Sequence, residues 1–142
     1  MKKYLLVFIA LPLLFCCSSD SISNNNKYLP GYNFSFDIDM ALPSYSNLQY
    51  TANPIRITTQ GYGINGVIVM NTGSGYTAFE NSCPNQELSS CSVLTLNGIN
   101  AKCPCDGVEY SLFTGQASTP VKYPLKSYRV QIISATVIRV YN

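Results

Sequence analysis

The stretch Glu80–Gly115 reads E-N-S-C-P-N-Q-E-L-S-S-C-S-V-L-T-L-N-G-I-N-A-K-C-P-C-D-G-V-E-Y-S-L-F-T-G. It holds four of the six cysteines of the chain: Cys83, Cys91, Cys103 and Cys105. Cys83-Pro84-Asn85 opens the set, and Cys103-Pro104-Cys105-Asp106-Gly107 closes it. The chain contains no histidine. That absence excludes a Ser-His-Asp triad or a Cys-His pair built by this chain alone.

Working outward, short strands flank the cysteines. Tyr76 to Phe79 leads in and Tyr110 to Phe113 leads out, with Thr114-Gly115 behind it. Further upstream, Phe34, Phe36, Ile38 and Met40 alternate with Ser35, Asp37 and Asp39, the period of a strand with one dry and one wet face. Leu42-Pro43-Ser44-Tyr45 breaks that strand, and a short strand is predicted over Leu48 to Tyr50. Ile55 and Ile57 alternate with Arg56 and Thr58. Val67-Ile68-Val69-Met70 is uniformly apolar and predicts a fully buried strand. Gly73-Ser74-Gly75 predicts a hairpin turn into Tyr76. Tyr128 to Ile132 and Thr136 to Tyr141 predict a final strand pair. No segment of the domain has a helical period over ten or more residues clear of Gly and Pro. Eleven tyrosines and many β-branched residues agree with an all-β chain. The expected architecture is a small antiparallel sandwich or barrel.

The chain of 142 residues has room for one modest domain. Lys2 and Lys3 followed by the apolar run Tyr4 to Phe15 form a leader too short to span a bilayer. Leu14-Phe15-Cys16-Cys17 resembles a bacterial lipobox. Cys17 is the expected lipidated residue, because the small Cys16 precedes it whereas bulky Phe15 precedes Cys16. The expected organisation is a signal peptide over 1–16, a lipidated cysteine with a Ser/Asn-rich tether over 17–30, and a β-domain over 31–142. The expected partner is the lipid bilayer, in the bacterial envelope, facing the periplasm or the cell surface. Once Lys2 and Lys3 leave with the leader, seven basic residues balance seven acidic ones. A neutral chain without basic runs gives no reason to expect nucleic acid. The four cysteines that remain after Cys17 are an even number in an oxidising compartment, as two disulfides require.

The loops resemble those of the Rieske [2Fe–2S] domain family, most closely over 53–142. Such a domain has C-x-H in one loop and C-x-x-H in the other, two thiolates holding one iron and two imidazoles the second. Cys83-Pro84-Asn85 sits on the first pattern and Cys103-Pro104-Cys105-Asp106-Gly107 on the second. Glu109-Tyr110-Ser111-Leu112 with Thr114-Gly115, and Pro120, Pro124, Leu125 and Tyr128 downstream, resemble the family's exit strand and proline loop. The resemblance implies that Cys83 and Cys103 occupy thiolate positions. It implies that Cys91 and Cys105 occupy the positions of an inter-loop disulfide. It places Asn85 and Asp106 where the imidazoles belong. An amide and a carboxylate are poor replacements for two nitrogen donors at one iron. The expectation is therefore a Rieske-like fold with no cofactor and no catalytic residue, in which Cys83 and Cys103 close a disulfide of their own. Its role would be structural or binding. Alternatives are a [2Fe–2S] electron-transfer protein with an unusual ligand set, or an accessory subunit of an envelope oxidoreductase. A cluster or a zinc ion on four cysteines is disfavoured, since Cys83 to Cys91 is too wide for the usual zinc knuckle. Glu80, Glu87, Asp106 and Glu109 show no spacing that demands a carboxylate pair.

Overall fold

The computed structural model describes residues 25–142. The leader, Cys16, Cys17 and most of the expected tether lie outside the described residues.

Nine strands follow one another among the described residues. They are β1 (Ser35–Asp39), β2 (Ile55–Ile57), β3 (Val67–Asn71), β4 (Tyr76–Glu80), β5 (Thr95–Asn97), β6 (Asn100–Lys102), β7 (Glu109–Ser111), β8 (Ser127–Ile132) and β9 (Val137–Tyr141). A six-stranded sheet has the order β1-β9-β8-β4-β3-β2, and a three-stranded sheet the order β5-β6-β7. Every strand pairing is antiparallel. The all-β, curled antiparallel architecture is the one expected.

The strand β3 explains how the two sheets share one molecule. Its four apolar residues alternate faces, as strand geometry requires. Val67 and Val69 pack into one core with Phe36, Ile38, Ile57, Ala78, Tyr128, Ile138 and Val140. Ile68 and Met70 pack into a second core with Phe79, Cys83, Leu94, Cys103, Tyr110 and Leu112. All four are fully buried. Strand β3 is thus the wall between a strand-built core and a cysteine-built one.

Two local readings change. Leu48 to Tyr50 is not a strand: Ser46–Gln49 forms a short 3₁₀ turn that inserts Leu48 into the first core. Short 3₁₀ pieces serve as connectors, and a single buried leucine needs no strand period. The β5–β6 hairpin is additional. Asn97 pairs with Asn100 across Gly98-Ile99, and Gly98 has φ +61°. A two-residue hairpin turn of the Gly-X kind needs such a positive φ at its first central residue.

The packed chain also begins before residue 31. Leu29 is fully buried. Lys126, itself buried, donates from Nζ to the carbonyls of Leu29 at 3.0 Å and Pro30 at 2.8 Å. Burial pulls the Lys126 ammonium below its usual range, and nearby Glu80 partly offsets this.

Candidate functional site: two cross-linked loops

Strand β4 delivers the first cysteine loop and the β6–β7 connection supplies the second. At the end of β4, Glu80 is fully buried and its carboxylate is saturated by donors. Oε2 accepts from Ile64 N at 2.7 Å and from the Tyr128 hydroxyl at 2.6 Å. Oε1 accepts from Asn65 N at 2.9 Å and from Ser82 Oγ at 2.9 Å. Burial, with Glu80 beside it, drives the Tyr128 phenol far above its usual pKa. A buried carboxylate is tolerated only when its lone pairs are filled in this way. Glu80 therefore anchors the root of the loop, a role its sequence context did not signal.

The second loop is a tight turn. Cys103 N bonds Val108 O at 2.9 Å, and Gly107 N bonds Cys103 O at 2.8 Å. The two loops meet through both cysteine pairs. Cys83 is bonded to Cys103, with Cα atoms 5.5 Å apart. Cys91 is bonded to Cys105, with Cα atoms 5.1 Å apart. These separations lie within the normal range for disulfides. The two bonds differ in setting. Cys83 and Cys103 are fully buried among Ile68, Leu94, Tyr110 and Leu112. Cys91 is exposed and Cys105 half-buried. Between them, Ser89 Oγ lies 3.3 Å from Cys91 Sγ and 3.8 Å from Cys105 Sγ.

Asn85 and Asp106 are brought to the same end of the domain, where each is engaged by protein. The Asn85 amide donates to Tyr123 O at 2.7 Å and to the Tyr110 hydroxyl at 3.1 Å, and it accepts from Tyr123 N at 2.9 Å. It ties the first loop to the proline loop as a backbone strand partner would. Burial raises the Tyr110 phenol above its usual pKa, with the Asn85 amide bond opposing and Asp106 adding to the rise. Asp106 accepts from Val108 N at 3.0 Å and from Gln86 Nε2 at 2.9 Å. The first bond is a local Asx-type turn and the second crosses between loops.

The residues present can be tested against a [2Fe–2S] group. A Rieske cluster needs two free thiolates and two imidazoles. Here the thiolate positions are bonded to each other, and the imidazole positions carry an amide held in the loop-to-loop hydrogen bonding and an exposed carboxylate, neither of them a nitrogen donor. This donor set does not fit that group. Three sulfurs, those of Cys83, Cys103 and Cys105, do lie within 4.8 Å of one another. They could serve as metal ligands only after reduction of both bonds.

Gly115 completes the site from behind. Its φ is +74°, and a Cβ there would lie 2.8 Å from Phe79 Cε1. Glycine is therefore required for the turn that lets the proline loop return, with Leu125 N bonding Gly115 O at 2.9 Å. Asn26 Nδ2 donates to Pro84 O at 2.7 Å, and the Tyr28 ring packs edge-on against Tyr123 at 6.2 Å. The N-terminal end of the described chain thus lies against the cysteine loops.

No protein-family model matches the sequence, and no curated protein matches it. Solved structures do match the fold. One is a chain from the complex of reduced oxygenase and oxidized ferredoxin in carbazole 1,9a-dioxygenase. It is 22% identical with a TM-score of 0.51, over 75% of this chain and 92% of that one. Others are the ferredoxin of carbazole 1,9a-dioxygenase from Nocardioides aromaticivorans IC177 (22% identical, 66% and 90% covered, TM-score 0.44) and a Sphingomonas yanoikuyae B1 ferredoxin (21%, 66% and 88%, 0.46). The fold is Rieske-like, in agreement with the resemblance of the cysteine loops. A shared fold leaves the activity to be argued from the site.

Proposed function

We propose that this chain is an exported, lipid-anchored module in which covalent staples stand where a Rieske domain carries its cluster. Its role is structural or binding rather than electron transfer. One observation carries this reading: Asn85, at an imidazole position, spends its whole amide on Tyr123 and Tyr110. A residue retained for metal would not be built into the loop-to-loop hydrogen bonding of the fold. The paired cysteines support the same reading, because export places thiols where they oxidise.

The anchor would be Cys17, held in the bilayer by acyl chains. Eight residues lie between it and Asn26, so the two are at most about 32 Å apart with the chain fully extended. Because Asn26 bonds Pro84, the cross-linked loops would form the membrane-proximal end of the domain. A rigid, stapled tip held close to a bilayer suits a docking element for another envelope component.

The test is the iron and acid-labile sulfide content of the mature protein purified without oxygen, together with its visible absorption. The expected result is neither iron nor sulfide in stoichiometric amount. A reducible chromophore with two irons per chain would replace this reading with electron transfer.

A further inference from the structure

The two disulfides differ in access yet nearly touch. The Cys105 sulfur lies within 4.8 Å of both Cys83 and Cys103 sulfurs. External thiols can reach exposed Cys91 but not the fully buried pair. We propose that Cys91–Cys105 is a thiol–disulfide exchange site for a dithiol partner, and that Cys105 relays the exchange to Cys83–Cys103. The relay deepens the reading above and rests on both loops being disulfide-bonded.

The steps balance without any further oxidant. A thiolate of the dithiol attacks Cys91 Sγ, forming a mixed disulfide, and the electron pair of the broken bond leaves on Cys105. The second thiolate of the dithiol then resolves the mixed disulfide. This releases Cys91 as a thiol and the partner as an intramolecular disulfide. Ser89 Oγ, 3.8 Å from Cys105 Sγ, is placed to donate a hydrogen bond to the thiolate left there. That thiolate attacks Cys83 Sγ. A Cys83–Cys105 bond forms, the Cys83–Cys103 bond breaks, and its electron pair leaves on Cys103, which takes up a proton. Attack at Cys103 instead would close a small ring across Pro104 alone, a poor match to disulfide geometry. A second equivalent of dithiol can then reduce Cys83–Cys105. Run backwards with an oxidised dithiol partner, the same steps load both bonds. Without the relay, the buried bond can be reduced only when the loops open.

Two variants test this with the same staple missing from each. Cys91→Ser leaves Cys105 as the free thiol, whereas Cys105→Ser leaves Cys91. Full-length mature proteins are exposed to dithiothreitol under native conditions, quenched by alkylation and mapped by mass spectrometry. Cys91→Ser is expected to show a Cys83–Cys105 linkage before any reductant is added. It should also lose its Cys83–Cys103 bond on the order of tenfold faster than Cys105→Ser. Equal rates in the two variants, with no Cys83–Cys105 linkage, would overturn the relay and leave the stapled site intact. Free thiols at all four positions in untreated wild-type protein would overturn the stapled site itself, and the relay with it.

Discussion

The two halves of this domain are stabilised by different means. The six-stranded sheet owes its order to long-range strand pairing and to alternation. Residues of β1 and β9 are paired from Ser35↔Tyr141 to Asp39↔Val137, across a hundred positions of sequence. Its core is apolar, built from Phe36, Ile38, Val67, Val69, Ile138 and Val140. The cysteine half has three strands of three residues each. Strands so short bury little surface, and small structures of that kind usually need staples. Here the staples are two disulfides, the Asn85 amide and the Glu80 carboxylate. The lesson is that loops too short to build a core of their own are held in place by cross-links.

Glu80 joins the halves, and its removal should have the largest effect. Glu80→Ala removes the acceptor of two half-buried backbone amides, Ile64 N and Asn65 N, and of the buried Tyr128 hydroxyl. We expect a loss of about 4 kcal/mol in denaturant unfolding, felt by both halves. Replacing Cys83 and Cys103 together by alanine should come next, at about 3 kcal/mol from released loop entropy. Hydrogen exchange should place that loss in β5, β6 and β7 and spare β1, β8 and β9. An even loss over both sheets would show that the halves are one cooperative unit. Asn85→Ala should cost about 2 kcal/mol, since the Tyr123 amide loses its acceptor while its carbonyl loses a donor.

The smallest effect belongs to the Asp37–Arg139 pair on β1 and β9, 2.7 Å apart and exposed. The Arg139 hydrogen bond holds the Asp37 carboxyl below its usual range. Its contribution is therefore present above the unfolded carboxylate pKa and fades as pH falls through the lower folded value. Because the pair is exposed and screened by salt, Asp37→Asn should leave the thermal midpoint at neutral pH unchanged within error. A clear drop would mean that the first half also depends on a polar clamp.

The difference between the halves governs what could be read from sequence. Alternation at Phe36, Ile38 and Met40, the apolar run Val67 to Met70, and the Gly73-Ser74-Gly75 turn all point to the elements observed, because a two-residue period leaves a direct mark. The cysteine half leaves weaker marks. Strands β5 and β6 expose Thr95, Asn97 and Lys102 and bury only Ala101 fully, so no period announces them. The turn between them carries one glycine, Gly98, and without alternating flanks a single glycine predicts no hairpin. Leu48 reads as strand because one buried leucine carries no period at all. At the site, the cysteines, Asn85 and Asp106 were legible through their spacing in the loops. What Asn85 does was not, since its partners Tyr110 and Tyr123 lie 25 and 38 residues away. Glu80 was hidden for the same reason: its partners come from three separate segments.

The central claim is that these loops are cross-linked where a cluster would otherwise be held. Disulfide mapping of the protein, alkylated in the producing cells before purification, is the sharpest test. Two linked peptide pairs are expected, Cys83 with Cys103 and Cys91 with Cys105, and no alkylated cysteine among the four. Recovery of Cys83 and Cys103 as alkylated thiols beside an intact Cys91–Cys105 bond, the pattern of a cluster-bearing loop pair, would contradict it.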